Sequence, residues 1–355
     1  MINMQVANEH VQSIDGKKMF KSDTYNWIMD EKTGFFVRWG VNKKDDPLFS
    51  PYGPEICDME ISTVCSGPYG KPCRECYKTN TSVGTNMSFE TFKQIFHKLP
   101  LTVSQIAFGI GDVSANEDLF RIMRYCREND YNPNVAPNIT INGKATAEEF
   151  DQFAELCGAI AVSNYGDICY DAIQELTNRG MKQVNIHQIL SVEKLAQCHK
   201  TIDDATTDPR LVKLNAIVFL LLKPKGERNT QTPLRDTEEW RKLVEHAQEK
   251  KVAIGFDSCS SPWYLSSGAA TPMDMYCIEP CESFGMFSSY INVDGKYFPC
   301  SFCEKAHDDF IDGIDVVNCN DFLVDVWYSG VIVKWRNKMI ARKLTGNFHC
   351  PIYDI

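Results

Sequence analysis

Three cysteines stand together early in the chain, Cys65, Cys73 and Cys76, in the stretch CSGPYGKPCREC. The glycines and prolines of residues 66–72 let such a segment fold back, so that three thiolates converge on one point. Three thiolates leave one iron of a four-iron cluster open to a chelating substrate, whereas an electron carrier uses four. Zinc is the other chemistry open to these thiols, with Cys73 and Cys76 as half a site. A zinc ribbon needs a second C-x2-C about 15–20 residues away, and the sequence has none there.

The chain holds 15 cysteines in all, an odd number. Metal ligation therefore ranks above disulfides, on the expectation of a cytoplasmic chain whose thiols stay reduced. Cys126, Cys157, Cys169 and Cys198 lie among apolar neighbours in regular segments and read as core residues. A second cluster runs from Cys277 to Cys350. In it Cys281, Gly295 and Cys300 form C-x13-G-x4-C, and residues 292–295 (NVDG) supply a hairpin turn between apolar runs.

The first cluster must be positioned by the elements around it. Residues 24–40 read as a hairpin turning at Lys32, Thr33 and Gly34, an N-terminal cover, and residues 42–53 as a loop. From residue 56 strand-like and helical patterns alternate: 56–63 with 88–98, 103–109 with 116–129, 134–141 with 146–157, 159–163 with 167–180, 182–190 with 191–202, and 213–222 with 236–250. A last strand is expected at 251–256. Helical crossovers return the chain to the same sheet end, so the strands are parallel and their C-terminal ends gather the functional loops. The expected fold is α/β: a partial (β/α)6 barrel of parallel strands at 56–256, an N-terminal hairpin extension at 1–55, and a small C-terminal cysteine-rich α+β domain at 257–355.

With the first cysteine at a strand end, a Glu-Ile-Ser-Thr run before it, Tyr77 behind the third cysteine and a helix start at Ser88, the chain resembles the radical S-adenosylmethionine (SAM) superfamily. It departs from the family's C-x3-C-x2-C with C-x7-C-x2-C, and has Glu75 where the family usually places an aromatic residue. The resemblance implies a SAM-binding [4Fe-4S] cluster on Cys65, Cys73 and Cys76. It also implies cofactor contacts at strand ends: Tyr77; Gly109, Gly111 and Asp112; Asn142; Ser163; and His187 with Gln188. Residues 281–300 resemble the opening of SPASM and twitch domains, implying one auxiliary [4Fe-4S] cluster on Cys281, Cys300, Cys303 and Cys350, with Cys277 and Cys319 in reserve. Zinc or plain structural thiols is the other reading of that region.

The implied reaction is reductive cleavage of SAM to a 5′-deoxyadenosyl radical that abstracts hydrogen from a substrate. A peptide or protein is the first expectation, modified by crosslinking, epimerisation or oxidation. A small molecule handled by a dehydrogenase or rearrangement enzyme is the second, and a non-catalytic iron–sulfur or zinc protein a third. Flavodoxin or ferredoxin would supply electrons. A net charge of −10 argues against a nucleic-acid surface. Residues 223–228 (KPKGER) form a local basic patch that reads as a solvated loop. The longest apolar run, residues 216–222, is far short of the roughly 20 residues of a membrane span, and the N-terminus shows no signal or transit peptide.

Overall fold

The computed structural model describes residues 2–274 and 278–355. Each of the six predicted units forms, with strands trimmed by up to a few residues. They are β5 (Ile56–Glu60) with α2 (Phe89–Phe96), β6 (Gln105–Gly109) with α3 (Leu119–Arg127), β7 (Ala136–Ile141) with α4 (Ala147–Leu156), β8 (Ala159–Ser163) with α5 (Asp167–Asn178), β9 (Val184–Leu190) with α6 (Leu195–Thr207), and β10 (Ala216–Leu221) with α7 (Thr237–Lys250). The strand β11 (Ile254–Phe256) comes next. These seven strands are all parallel and lie in sequence order across one sheet. Ser88 caps α2 by accepting the Thr91 N–H, and Thr146 with Glu149 forms a capping box on α4. The helices bury one face on the sheet, and there Cys126, Cys157, Cys169 and Cys198 are buried core thiols.

The N-terminal extension is larger than one hairpin. Four strands, β1 (Val11–Ile14), β2 (Lys17–Lys21), β3 (Tyr25–Asp30) and β4 (Phe36–Gly40), form an antiparallel meander, preceded by the short helix α1 (Met4–Asn8). The added hairpin turns on Asp15 and Gly16, both at positive φ, 51° and 71°. Asp-Gly between two strands is the local signature of that two-residue turn. Phe20, Tyr25, Trp27 and Met29 pack with Ala136, the first residue of β7, and Thr33 O accepts from Gln183 Nε2 at 2.6 Å. The meander therefore sits at the N-terminal ends of the barrel strands, opposite the ends that carry the cysteine loop.

The C-terminal part does not stand apart as its own sheet. It contains α8 (Ser261–Ser266), β12 (Ser288–Ile291), β13 (Lys296–Phe298), β14 (Ile314–Asp315) and α9 (Gly330–Leu344). The predicted hairpin is β12 and β13 around residues 292–295. Beyond that expectation, β12 pairs in parallel with β5, which makes one ten-stranded sheet. An unclosed barrel leaves the edge of its first strand unpaired, and β12 covers that edge. No described helix is long and apolar enough to cross a membrane.

Candidate metal centres

Cys65 lies just beyond β5, and its N–H donates to Thr81 O at 2.7 Å, so the cysteine loop is pinned at both ends. Loops from the next five strands hold it. After β6, Asp112 accepts the Ser66 N–H at 2.6 Å, and a Cβ on Gly111 would stand 2.6 Å from Cys65 Sγ. After β7, Asn142 donates to Asp112 at 2.9 Å and Lys144 to Gly67 O at 3.1 Å. After β8, the Tyr165 hydroxyl lies 3.1 Å from Cys73 Sγ. After β9, Lys194 pairs with Glu75 at 3.1 Å. After β10, Gly226 at φ +104° lies against Cys76 O, and Arg228 donates to the carbonyls of Cys73, Thr79 and Asn80.

All three thiols are half-buried, and none is in a disulfide. Burial pushes the Cys65 thiol up, and Asp112, Cys73 and Cys76 push the same way, against the Gly67 N–H that reaches its sulfur at 3.3 Å. Burial also raises Cys73, opposed by the Tyr165 hydroxyl. Three sulfurs that feel one another's charge suit a cationic centre, which would draw all three to thiolate. Among the described residues no three His, Cys, Asp or Glu side chains are arranged around a single ion. Thiolates on one zinc stand about 3.8 Å apart, from Zn–S bonds of about 2.3 Å in a tetrahedron. A four-iron cluster spreads its ligands over separate irons and does not require them to share a single ion.

The predicted cofactor contacts divide. Gly109, Gly111, Asp112, Asn142 and Ser163 are at or just past strand ends, while His187 is in the middle of β9; of these, Asp112 lines a cleft of about 570 Å³ together with Ser66, Gly143 and Lys144 among others. Asp112 is engaged by Ser66 and Asn142, so it braces the cysteine loop. His187 bonds Thr140 at 3.2 Å, and burial lowers its pKa to about 4, which keeps the ring neutral. Gln188 points to the other face, where Asn164 donates to its Oε1 at 2.7 Å and the α6 hydroxyl of Thr201 lies at 3.3 Å. Adjacent strand residues face opposite ways, so His187 and Gln188 cannot both line the interior. Tyr77 turns to the C-terminal part, its ring 4.3 Å from that of Phe302.

The second centre lies across that contact. Cys281, Cys300, Cys303 and Cys350 come together closely enough for each thiol to bear on the others' ionisation. Cys300 is the exception in sign, lowered to about 6 by a hydrogen bond from Cys303, with the Phe302 N–H and buried Lys223 also lowering it, against burial. The chain end brings Cys350 there, held by Tyr353, whose hydroxyl donates to Phe302 O at 2.7 Å. Cys319 is elsewhere: its carbonyl accepts from Lys98 at 2.7 Å and its thiol faces Lys98, Asp321 and Asp325. Cys277 lies outside the described residues.

Two features of this centre go beyond the sequence expectations. Cys259, three residues past β11, faces Cys281 and Cys300 as a fifth thiol. Its place at the C-terminal end of a parallel strand is the signal that could have found it. Residues 223–228, expected to be a solvated loop, are instead a strap between the two centres. Lys223 is buried and paired with Asp257, Lys225 donates to the carbonyls of Ser301, Phe302 and Glu304, and Arg228 grips the first cysteine loop. A second tie is Lys78, which reaches Tyr290 at 2.8 Å, Glu60 at 3.2 Å and Glu304.

Neither a known family nor a curated protein matches the sequence. Solved structures do match the fold. SuiB of Streptococcus suis bound to precursor peptide SuiA aligns over 91% of this chain and 90% of its own, with a TM-score of 0.65 at 12% identity. SuiB bound to S-adenosylmethionine aligns over 85% and 67%, with a TM-score of 0.53 at 13% identity. The chain thus shares the fold of SuiB, a mixed α/β fold built on a large, mostly parallel sheet.

Proposed function

We propose that this chain is a radical SAM enzyme that modifies a peptide, with its catalytic cluster on Cys65, Cys73 and Cys76. One observation carries the reading: three free thiols share one loop at the C-terminal ends of parallel strands, braced by the loops of the next five strands. The fold is that of a protein solved with SAM and, separately, with a precursor peptide, which favours the peptide over a small-molecule substrate. When bound, the cluster supplies one electron to SAM, yielding methionine and a 5′-deoxyadenosyl radical that takes a hydrogen atom from the substrate.

The chain's own residues bind and orient. Asp112 and Lys144 fix the backbone at Ser66 and Gly67, and Arg228 fixes it at Cys73, so the three sulfurs keep one geometry through the reaction. The cleft beside Ser66, Asp112 and Lys144 is offered to SAM and substrate. We assign Cys281, Cys300, Cys303 and Cys350 to an auxiliary cluster, with Cys259, which faces Cys281 and Cys300, as a fifth candidate ligand.

Anaerobic reconstitution with iron and sulfide should load about eight iron atoms per chain if both centres hold four-iron clusters. Reduction in the presence of SAM should then release 5′-deoxyadenosine. Zinc in place of iron, or no 5′-deoxyadenosine, would sink the reading. Gly111→Ala puts a methyl group 2.6 Å from Cys65 Sγ, too close for a carbon–sulfur contact. The expected result is loss of about four of those irons, with retention of the auxiliary cluster and an unchanged circular dichroism spectrum.

A further inference from the structure

The fourth barrel strand ends in Ser163, Asn164 and Tyr165, and the Tyr165 side chain does something that the neighbouring loops do not. Its hydroxyl lies 3.1 Å from Cys73 Sγ, the one side-chain hydroxyl among the described residues set against a thiol of the first centre. That hydroxyl makes no other hydrogen bond among the described residues. The remaining contacts around the loop are with backbone carbonyls, backbone N–H groups or the Glu75 carboxylate, which Lys194 already balances.

The residue is held where it is. Its carbonyl accepts from the Tyr69 hydroxyl, inside the cysteine loop itself. The turn that carries it is fixed by Asn164, whose Oδ1 accepts the Gly166 N–H at 3.0 Å and whose amide nitrogen donates to Gln188 at 2.7 Å and to Thr201 at 2.8 Å. Gln188 thus acts on this centre from behind the sheet, through Asn164 and Tyr165.

We propose that Tyr165 donates a hydrogen bond to the Cys73 sulfur of the catalytic cluster and so sets its reduction potential. The inference rests on the radical SAM reading above and adds to it. A phenol is protonated at neutral pH and is a donor, and a metal-bound thiolate sulfur keeps lone pairs to accept. One-electron reduction places more negative charge on the cluster and its sulfurs. A fixed O–H donor stabilises the reduced form more than the oxidised form, and hydrogen bonds to the sulfurs are among the determinants of such potentials. The electron comes from an external low-potential reductant, and the proton stays on the Tyr165 oxygen throughout. Tyr165 is a positioning residue: it touches a ligand of the metal and neither cleaves nor transfers a bond.

The test compares reconstituted wild type with Tyr165→Phe, which keeps the ring and removes only the hydroxyl. Chemical titration is followed by electron paramagnetic resonance, using the signal that shifts when SAM is added, so that the auxiliary cluster is not mistaken for it. The expected result is full iron content with a reduction equilibrium about tenfold less favourable, a midpoint about 59 mV more negative for a one-electron couple. Hyperfine spectra in H₂O and D₂O should also lose one exchangeable proton coupling. An unchanged midpoint with the coupling retained overturns the proposal, and so does a Tyr165→Phe protein that fails to hold iron, because the residue would then be structural. A wild type without any SAM-responsive cluster overturns instead the reading on which the proposal stands.

Discussion

Alanine at Cys65, Cys73 or Cys76 should bring 5′-deoxyadenosine release down to the level of a reaction without enzyme. The three thiols share one loop, and among the described residues Cys126, Cys157, Cys169 and Cys198 are buried on the helix side of the sheet, while Cys259, Cys281 and Cys300 face one another apart from that loop. Each single variant should lose about four irons and keep about four, since the thiols proposed for the auxiliary cluster come from other chain segments. Iron content and 5′-deoxyadenosine release on the same preparation check this together. Activity retained in any of the three would remove that cysteine from the ligand set.

Lys78→Met should produce a large loss of stability at the join between barrel and C-terminal part. Lys78 is nearly buried between Glu60, at the end of β5, and Glu304, one residue past Cys303. Burial raises the Glu60 carboxyl despite Lys78. Glu304 falls below its ordinary range, because the bond and charge of Lys78, helped by Asn292, outweigh its burial. Removing the ammonium strands two carboxylates in a poorly solvated place, at a cost of about 3–5 kcal/mol. Denaturant midpoints of the reconstituted protein would read this, and Glu304→Gln added to Lys78→Met should recover part of the loss. A Lys78→Met protein as stable as wild type would show that the tie is not what joins the two parts.

The two changes probe features that differ in how far the sequence exposes them. Period-two and helical patterns come from neighbours in the chain, which is why six strand–helix units are legible from residue 56 and come out with ends moved by up to five residues. The Ser88 cap and the turn at 292–295 are local in the same sense. So is the Asp15-Gly16 turn, whose signature is present in the sequence and marks the hairpin that a reading of one N-terminal hairpin leaves out. Gln188 shows the limit of periodicity: the pattern puts it opposite His187, but which of the two faces the interior depends on where the helices pack.

By itself, then, the sequence determined the parallel barrel frame, the cysteine loop at the end of its first strand, and a second thiol group around a hairpin, because each is written in contiguous residues. Only the tertiary structure decided what surrounds those thiols. Tyr165 against Cys73, Cys259 beside Cys281 and Cys300, and residues 223–228 as a strap anchored by Lys223, Lys225 and Arg228 are meetings of loops separated by tens of residues or more. They exist because parallel strands deliver every βα loop to the same end of one sheet, while β12 on the edge of β5 brings the C-terminal cysteines to that end. A charged stretch such as 223–228 looks solvated in isolation, and its three cations find their partners only when both cysteine loops come up against it.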